Sequence, residues 1–241
     1  MIPDTKECIK ILEDNDVAAN IIEHCKKVSQ TAVFLARELK KTGEKINIAL
    51  LEAAALLHDL DKLKTLKANE QHGKVAYEIL KENYPEVAEL VKKHNLTYIL
   101  DKGLQTWEEK VLNLSDARVL QDEIVPLSER FEYIRNRYPD VTNGRRPEME
   151  ELFFKLEKEI FKKIKLNPVK LAKTIEEQKQ KQKKLKQFRK KQKEQEIKEG
   201  QLQEEPGKPA QGKTEEKRQE ETSEPVQESS GSGKPLKQEN N

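Results

Sequence analysis

Two cysteines, Cys8 and Cys25, are all that 241 residues contain. So few thiols exclude a disulfide framework and a thiolate metal site, and both read as small buried apolar side chains. Long apolar runs are missing as well: nothing approaches the roughly 18 uncharged residues that a membrane-crossing helix needs. The opening MIPDTKECIK does not have the basic-then-apolar order of an export signal, so a soluble cytoplasmic protein is expected. Aromatic residues are scarce at 5%, and hydrophobic residues reach only 34%, below the ~45–50% of an ordinary globular domain. One compact domain cannot fill such a chain. The shortage is uneven, because the single aromatic in 170–241 is Phe188.

Neither sign of charge dominates, with 46 Lys and Arg against 44 Asp and Glu for a net +2. Its distribution says more than its total. Residues 170–200 hold twelve basic and five acidic side chains, whereas 201–241 hold six basic and nine acidic. The expected organisation is a folded domain at 1–166, a highly charged basic helical extension at 167–200 and a disordered low-complexity tail at 201–241. The stretch KTIEEQKQKQKKLKQFRKKQKEQEIKEG is rich in helix formers but has no apolar stripe and no heptad. It reads as a solubilising extension, with an RNA contact through 179–198 as the alternative.

Within 1–166, apolar residues recur at three- and four-residue spacing and period-two alternation is hard to find, which predicts an all-α domain. Helices are expected at 6–13, at 17–41 with Asp14 and Asn15 as caps and Gly43 as its end, and from Asn47 through IALLEAAALLHDL. That third helix is apolar almost all round, so it should be the central one and deliver His58 and Asp59 from inside the core. Further helices are expected at 71–82, at 85–93, from Thr106 with a capping box to Glu109, from Pro126, and at 147–165.

All four histidines, His24, His58, His72 and His94, fall in this domain beside other metal-capable groups. An Asp at the end of an apolar helix leaves a buried charge unless a cation compensates it, and Asp116 in NLSDARVL poses the same problem. A divalent metal answers both. Neighbours on a helix diverge by ~100°, so His58 and Asp59 would reach different sides of a cluster. The set this suggests is His24, His58, Asp59 and Asp116 around a first ion, with His72 and His94 joining Asp59 around a second. Imidazole and carboxylate without thiolate suit Mn, Fe, Co, Ni or Mg. Two ions about 3.5–4 Å apart would clamp the attacking and leaving oxygens of an in-line displacement at phosphorus, with a shared water as nucleophile.

The order His24, then His58 and Asp59, then Asp116, on successive helices, resembles the HD-domain metal-dependent phosphohydrolase superfamily. The stretch LLHDLDK is similar to the HDIG variety of its motif, and His72 and His94 fall where two-metal members carry additional histidines; the likeness covers residues 18–138. The resemblance implies an all-α HD-domain helical bundle holding one or two divalent ions. It implies hydrolysis of a phosphoester, of a nucleotide or related small phosphate, or else of RNA or a cyclic dinucleotide. A non-catalytic module that binds metal and nucleotide is the reading from another class.

Asp61 stands where the motif has Gly. Lys62 matches the motif's Lys and with Asp59 forms the expected catalytic pair; it offers charge to a substrate phosphate or pairs with Asp59 or Asp61. Arg118 is a second candidate for a phosphate contact, against a surface salt bridge. Glu52 and Glu70 come into question as general acids by sequence proximity alone, and each reads first as a solvated carboxylate. Arg130, Arg135 and Arg137 with Tyr133 and Tyr138 read as an amphipathic helix packed through Phe131, Ile134 and Tyr138, a nucleotide-facing wall being the alternative. Trp107 reads as packing at a helix start.

Overall fold

The structure is a computed structural model that describes residues 1–62 and 73–203, with side chains through residue 195. Helix α1, Thr5–Asp14, begins where Asp4 Oδ1 accepts from Glu7 N at 2.9 Å. Its end is closed by Asn15, whose Nδ2 donates to Ile11 O at 2.9 Å. Asp14 and Asn15 therefore finish the first helix instead of capping the second, and α2, Ala19–Lys41, starts after Ala18 without a side-chain cap. Helix α2 buries Ile21, His24, Val28, Leu35 and Leu39 along one face, the three-to-four spacing that the sequence shows. It ends before Gly43, whose φ of +95° only a residue without Cβ adopts at no cost.

Helix α3, Ile48–Leu57, is the centre of the molecule. Asn47 Oδ1 accepts from Leu50 N at 3.1 Å, and the run of alanines supplies both helix propensity and close approach of neighbours. Leu51, Ala53, Ala54, Ala55, Leu56 and Leu57 are all buried, and a fully buried leucine contributes ~1.5–3 kcal/mol. Around α3 pack α1, α2, α5 (Pro85–Lys92) and α7 (Trp107–Ala117). Helices α4 (Lys74–Leu80) and α6 (Tyr98–Asp101) precede α5 and α7 respectively. The capping box of Thr106 and Glu109 opens α7 as expected. Trp107 is a packing residue: its Nε1 donates to Glu44 Oε2 at 2.6 Å, with Lys110 and Lys163 over its ring.

Among the described residues the one departure from helix is an antiparallel hairpin, β1 (Val119–Leu120) with β2 (Glu123–Ile124), which pairs Val119 with Ile124 and Leu120 with Glu123. Helix α8, Leu127–Arg137, follows Pro126, and α9, Arg146–Ile164, packs on α2, α6, α7 and α8. After a 3-10 turn at Pro168–Lys170, α10 runs Leu171–Gln203. Leu171 and Ile175 lie in the core at 0% and 5% exposure. Packing thus continues past residue 166, and the compact unit runs Met1–Lys190. The tail expected at 201–241 lies outside the described residues beyond 203. Among the described residues no helix is long and apolar enough to cross a membrane. Cys8 and Cys25 are buried free thiols, and burial, with Glu7 and Asp4 nearby, pushes Cys8 up to about 12.

Candidate metal centre

The apolar helix α3 stops at Leu57, and His58 and Asp59 occupy the turn behind it, where Leu60 N donates to Leu57 O and Lys62 N to Asp59 O, both at 3.1 Å. His58 keeps helical backbone angles, φ −60° and ψ −34°, and the two neighbouring side chains meet at one cluster, with His58 Nε2 3.6 Å from Asp59 Oδ2. Helix α2 brings His24, whose Nε2 is 3.7 Å from the same oxygen. Helix α7 brings Asp116, whose Oδ1 is 3.1 Å from His24 Nε2 and 3.6 Å from His58 Nε2. All four are buried. Ligand atoms of His24, His58 and Asp59 lie within 4.8 Å of one another, a group that could hold a metal ion.

Backbone carbonyls set the histidine rings. Nδ1 of His24 lies 2.7 Å from Gln121 O, and Nδ1 of His58 lies 2.9 Å from Ala55 O. Each contact assigns the Nδ1 proton and turns Nε2 to the centre of the cluster. His58 Nε2 is buried and has no hydrogen-bond partner among the described residues, which is costly for a polar atom. Gln121 is in the hairpin turn with φ +55°, a left-handed conformation for a non-glycine residue. No local sequence pattern announces this carbonyl as the support of His24.

The charged groups at the site hold one another in their ionised forms. Burial works against an imidazolium at His58, yet Asp59 and Asp116 hold its pKa well above 6.5. Burial likewise works against a charged Asp116, but the hydrogen bond from His24 and the nearness of His58 hold its carboxyl well below the usual carboxylate range. Lys62 Nζ lies 2.5 Å from Asp59 Oδ2 and stays protonated, its pKa raised by Asp59 and Asp116 against the pull of burial. Arg130 approaches the second carboxylate, with Nη2 4.0 Å from Asp116 Oδ1.

His94 is buried next to this cluster, its ring 5.1 Å from that of His58 and its Nδ1 2.5 Å from Val91 O. Asn113 of α7 fixes the chain just before it, donating from Nδ2 to Lys93 O at 3.0 Å. His72, the other histidine expected at a second ion, lies outside the described residues, as does Glu70. Glu52 is not at the site; it accepts from Thr5 Oγ1 at 3.2 Å on the α1 side. Arg118 is corrected from phosphate contact to structural strut: it is buried at 3% exposure, ion-paired with Glu157, and donates to Pro168 O at 3.1 Å.

Beside the cluster opens a cavity of about 670 Å³, lined by His24, Lys62, Gln121, Arg130, Tyr133 and Tyr138 among others. Arg130, Tyr133 and Tyr138 thus face the cavity, and Tyr138, expected to pack, is 45% exposed. Periodicity alone could not separate these two arrangements, since a cavity wall and a solvent face carry the same polarity.

A helical bundle that converges two histidines and two aspartates from three segments in this order defines a class. The HD domain family pattern matches residues 21–120, from the start of α2 to β1, so this stretch of the chain is similar to that family. An uncharacterized protein of the archaeon Methanocaldococcus jannaschii is 35% identical over 77 residues, which are 32% of this chain and 44% of the relative. The chain therefore matches less than half of that relative's length. No solved structure matches the chain.

Proposed function

We propose that this protein is a metal-dependent hydrolase of a small phosphoester, of nucleotide type. The observation that carries the reading is the convergence of His24, His58, Asp59 and Asp116, with His58 Nε2 buried, without a hydrogen bond, and 3.6 Å from an oxygen of each carboxylate. These four would hold a first divalent ion, of the Mn, Fe, Co, Ni or Mg group that imidazole and carboxylate oxygen suit. His94, with its Nδ1 proton committed to Val91 O, is the nearest candidate for a second, joined by Asp59 and His72. When bound, such ions supply Lewis acidity toward the phosphoryl group and lower the pKa of water.

The chain's own residues do the rest. Gln121 O and Ala55 O accept from Nδ1 of both ligand imidazoles, so the rings are already oriented with Nε2 toward the cluster. Asp59 accepts from Lys62, which limits the negative charge that an incoming phosphoester meets. Asp59 and Lys62 are accordingly the residues assigned to catalysis.

The test uses the full-length protein: elemental analysis for metal, then hydrolysis of an aryl phosphodiester and an aryl phosphomonoester with Mn and with a chelator. At least one ion per chain and chelator-sensitive turnover, lost in Asp59→Ala, are expected; two ions per chain would require the His94 and His72 positions as well. A protein that takes up no ion after supplementation and turns over neither ester is not a hydrolase of this kind.

A further inference from the structure

Helix α8 and its C-cap residue Tyr138 carry three arginines or tyrosines that serve the cavity and two arginines that do not. Arg130, Tyr133 and Tyr138 line it, whereas Arg135 pairs with Glu150 at 2.5 Å on the surface and Arg137 is exposed. The Arg130 side chain is only 12% exposed, and its Nε is buried without a hydrogen-bond partner. A guanidinium so little exposed is costly to bury, and where it lines a cavity its planar fork is well suited to a bidentate acceptor. Lys62 lines the same cavity. Of the two cations, Lys62 stands at Asp59 and Arg130 at Asp116.

The remaining walls differ in character. The rings of Tyr133 and Tyr138 are 6.3 Å apart at 70°, forming an aromatic corner. Asn20, Glu23 and Asp122, all exposed, supply acceptors at the rim. Acidic groups there repel phosphate and accept from hydroxyls, so the anionic end of a ligand belongs at Arg130 and Lys62 and its neutral end at the rim. A volume of about 670 Å³ falls inside the ~300–1,000 Å³ of small-molecule sites. A polynucleotide groove would instead track along a basic surface.

Resting on the hydrolase reading above, we propose that this cavity is the substrate pocket: Arg130 and Lys62 grip the phosphoryl oxygens, and Tyr133 with Tyr138 stack a planar ring. The substrate class is then a phosphoester of about mononucleotide size that carries a flat heterocyclic base. Arg130 is its phosphate clamp and the tyrosine corner its specificity element.

The experiment is calorimetric binding to the full-length, Mn-loaded protein with two probes that cannot be hydrolysed. One is the phosphonate analogue of adenosine 5′-monophosphate; the other is methylphosphonate, which has no ring. The analogue should bind at least about tenfold more tightly than methylphosphonate, the increment expected of one stacked base. Tyr138→Leu and Tyr133→Leu should each shrink that ratio and leave methylphosphonate unchanged. Arg130→Met should weaken both probes by about tenfold or more, with Arg130→Gln run beside it and melting temperatures recorded so that a fold defect in one variant does not decide. Equal affinity for the two probes, no binding of either, or Arg130 variants that bind like the wild type would overturn the assignment. Hydrolysis of an aryl ester alongside a flat binding profile sinks the pocket alone, whereas the expected binding pattern without any phosphoester turnover sinks the hydrolase reading alone.

Discussion

Asp61 is fully buried and uses one carboxylate oxygen on two backbone amides, Gly73 N at 2.8 Å and Ala76 N at 3.0 Å. These are the N-cap and third positions of α4, and the N-cap is a glycine at φ +88° with no side chain to contribute. Asp61 does from twelve residues away what a Ser or Asp at the cap would do, and its charge faces the positive end of the helix. Gly73 in turn lies against the candidate ligand His94: a Cβ there would sit 3.5 Å from Cε1 of the imidazole. Asp61→Ala should therefore cost about 2–4 kcal/mol in urea unfolding, since it strands two amide donors. Asp61→Asn, which keeps an acceptor, should cost about half as much. An alanine variant as stable as the wild type would show that the carboxylate does not hold α4. From sequence, Asp61 is legible only as a departure from a motif, because its partners are twelve and fifteen positions on. His58, Asp59 and Asp116 are legible for the opposite reason: each puts charge into an apolar stripe, where the cost of burial can be argued without a structure. Arg130 and Tyr133 fall between, since polarity at helical spacing does not tell a cavity from solvent.

Helix α7 supplies Asp116 to the site and Asn113 to the support of His94, so its start matters to both. Glu109 closes the capping box and accepts from Gln105 N at 2.7 Å and from Lys93 Nζ at 2.8 Å. Burial would raise its pKa, but Lys93 and the Gln105 amide outweigh that and hold it below 4.5. A carboxylate with a depressed folded pKa gives stability that is complete above its unfolded value and lost as pH falls through the folded one. Glu109→Gln is expected to lose about 1 kcal/mol at neutral pH, and the gap from the wild type should close as pH drops below 4.5. A gap that stays constant down to the acid transition would assign the loss to packing and not to charge. This element was readable because Thr-x-x-Glu before an apolar run is a local signature. The hairpin was not, because two residues per strand give no alternation to detect, and with it went the Gln121 carbonyl that orients His24.

At the scale of the whole molecule the core of the helical bundle holds a set of buried charges whose balance depends on protons and metal. Two carboxylates and two imidazoles at full burial draw a proton onto His58, whose pKa is held well above 6.5. In protein stripped of metal, that contribution is complete below 6.5 and fades as pH rises through the raised value; the contribution of Asp116 is complete above 3.8 and fades as pH falls through its lowered value. The stripped protein should therefore be most stable between these two limits. A divalent ion binds only the imidazole without its proton, so metal and proton compete for His58 at a cost of about 1.4 kcal/mol per pH unit below its pKa. Because a ligand stabilises the folded state by RT ln(1 + [L]/Kd), the rise in melting temperature on adding Mn should be small at acid pH and grow as the solution is made neutral and then mildly alkaline. Melting curves of the full chain with Mn and with chelator across that range measure it directly, and Asp59→Ala should flatten the response at every pH. A Mn-induced shift that is already full at acid pH, or that survives Asp59→Ala, would mean that the stabilising ion binds elsewhere on this heavily charged chain and that His58 is a core histidine, not a ligand.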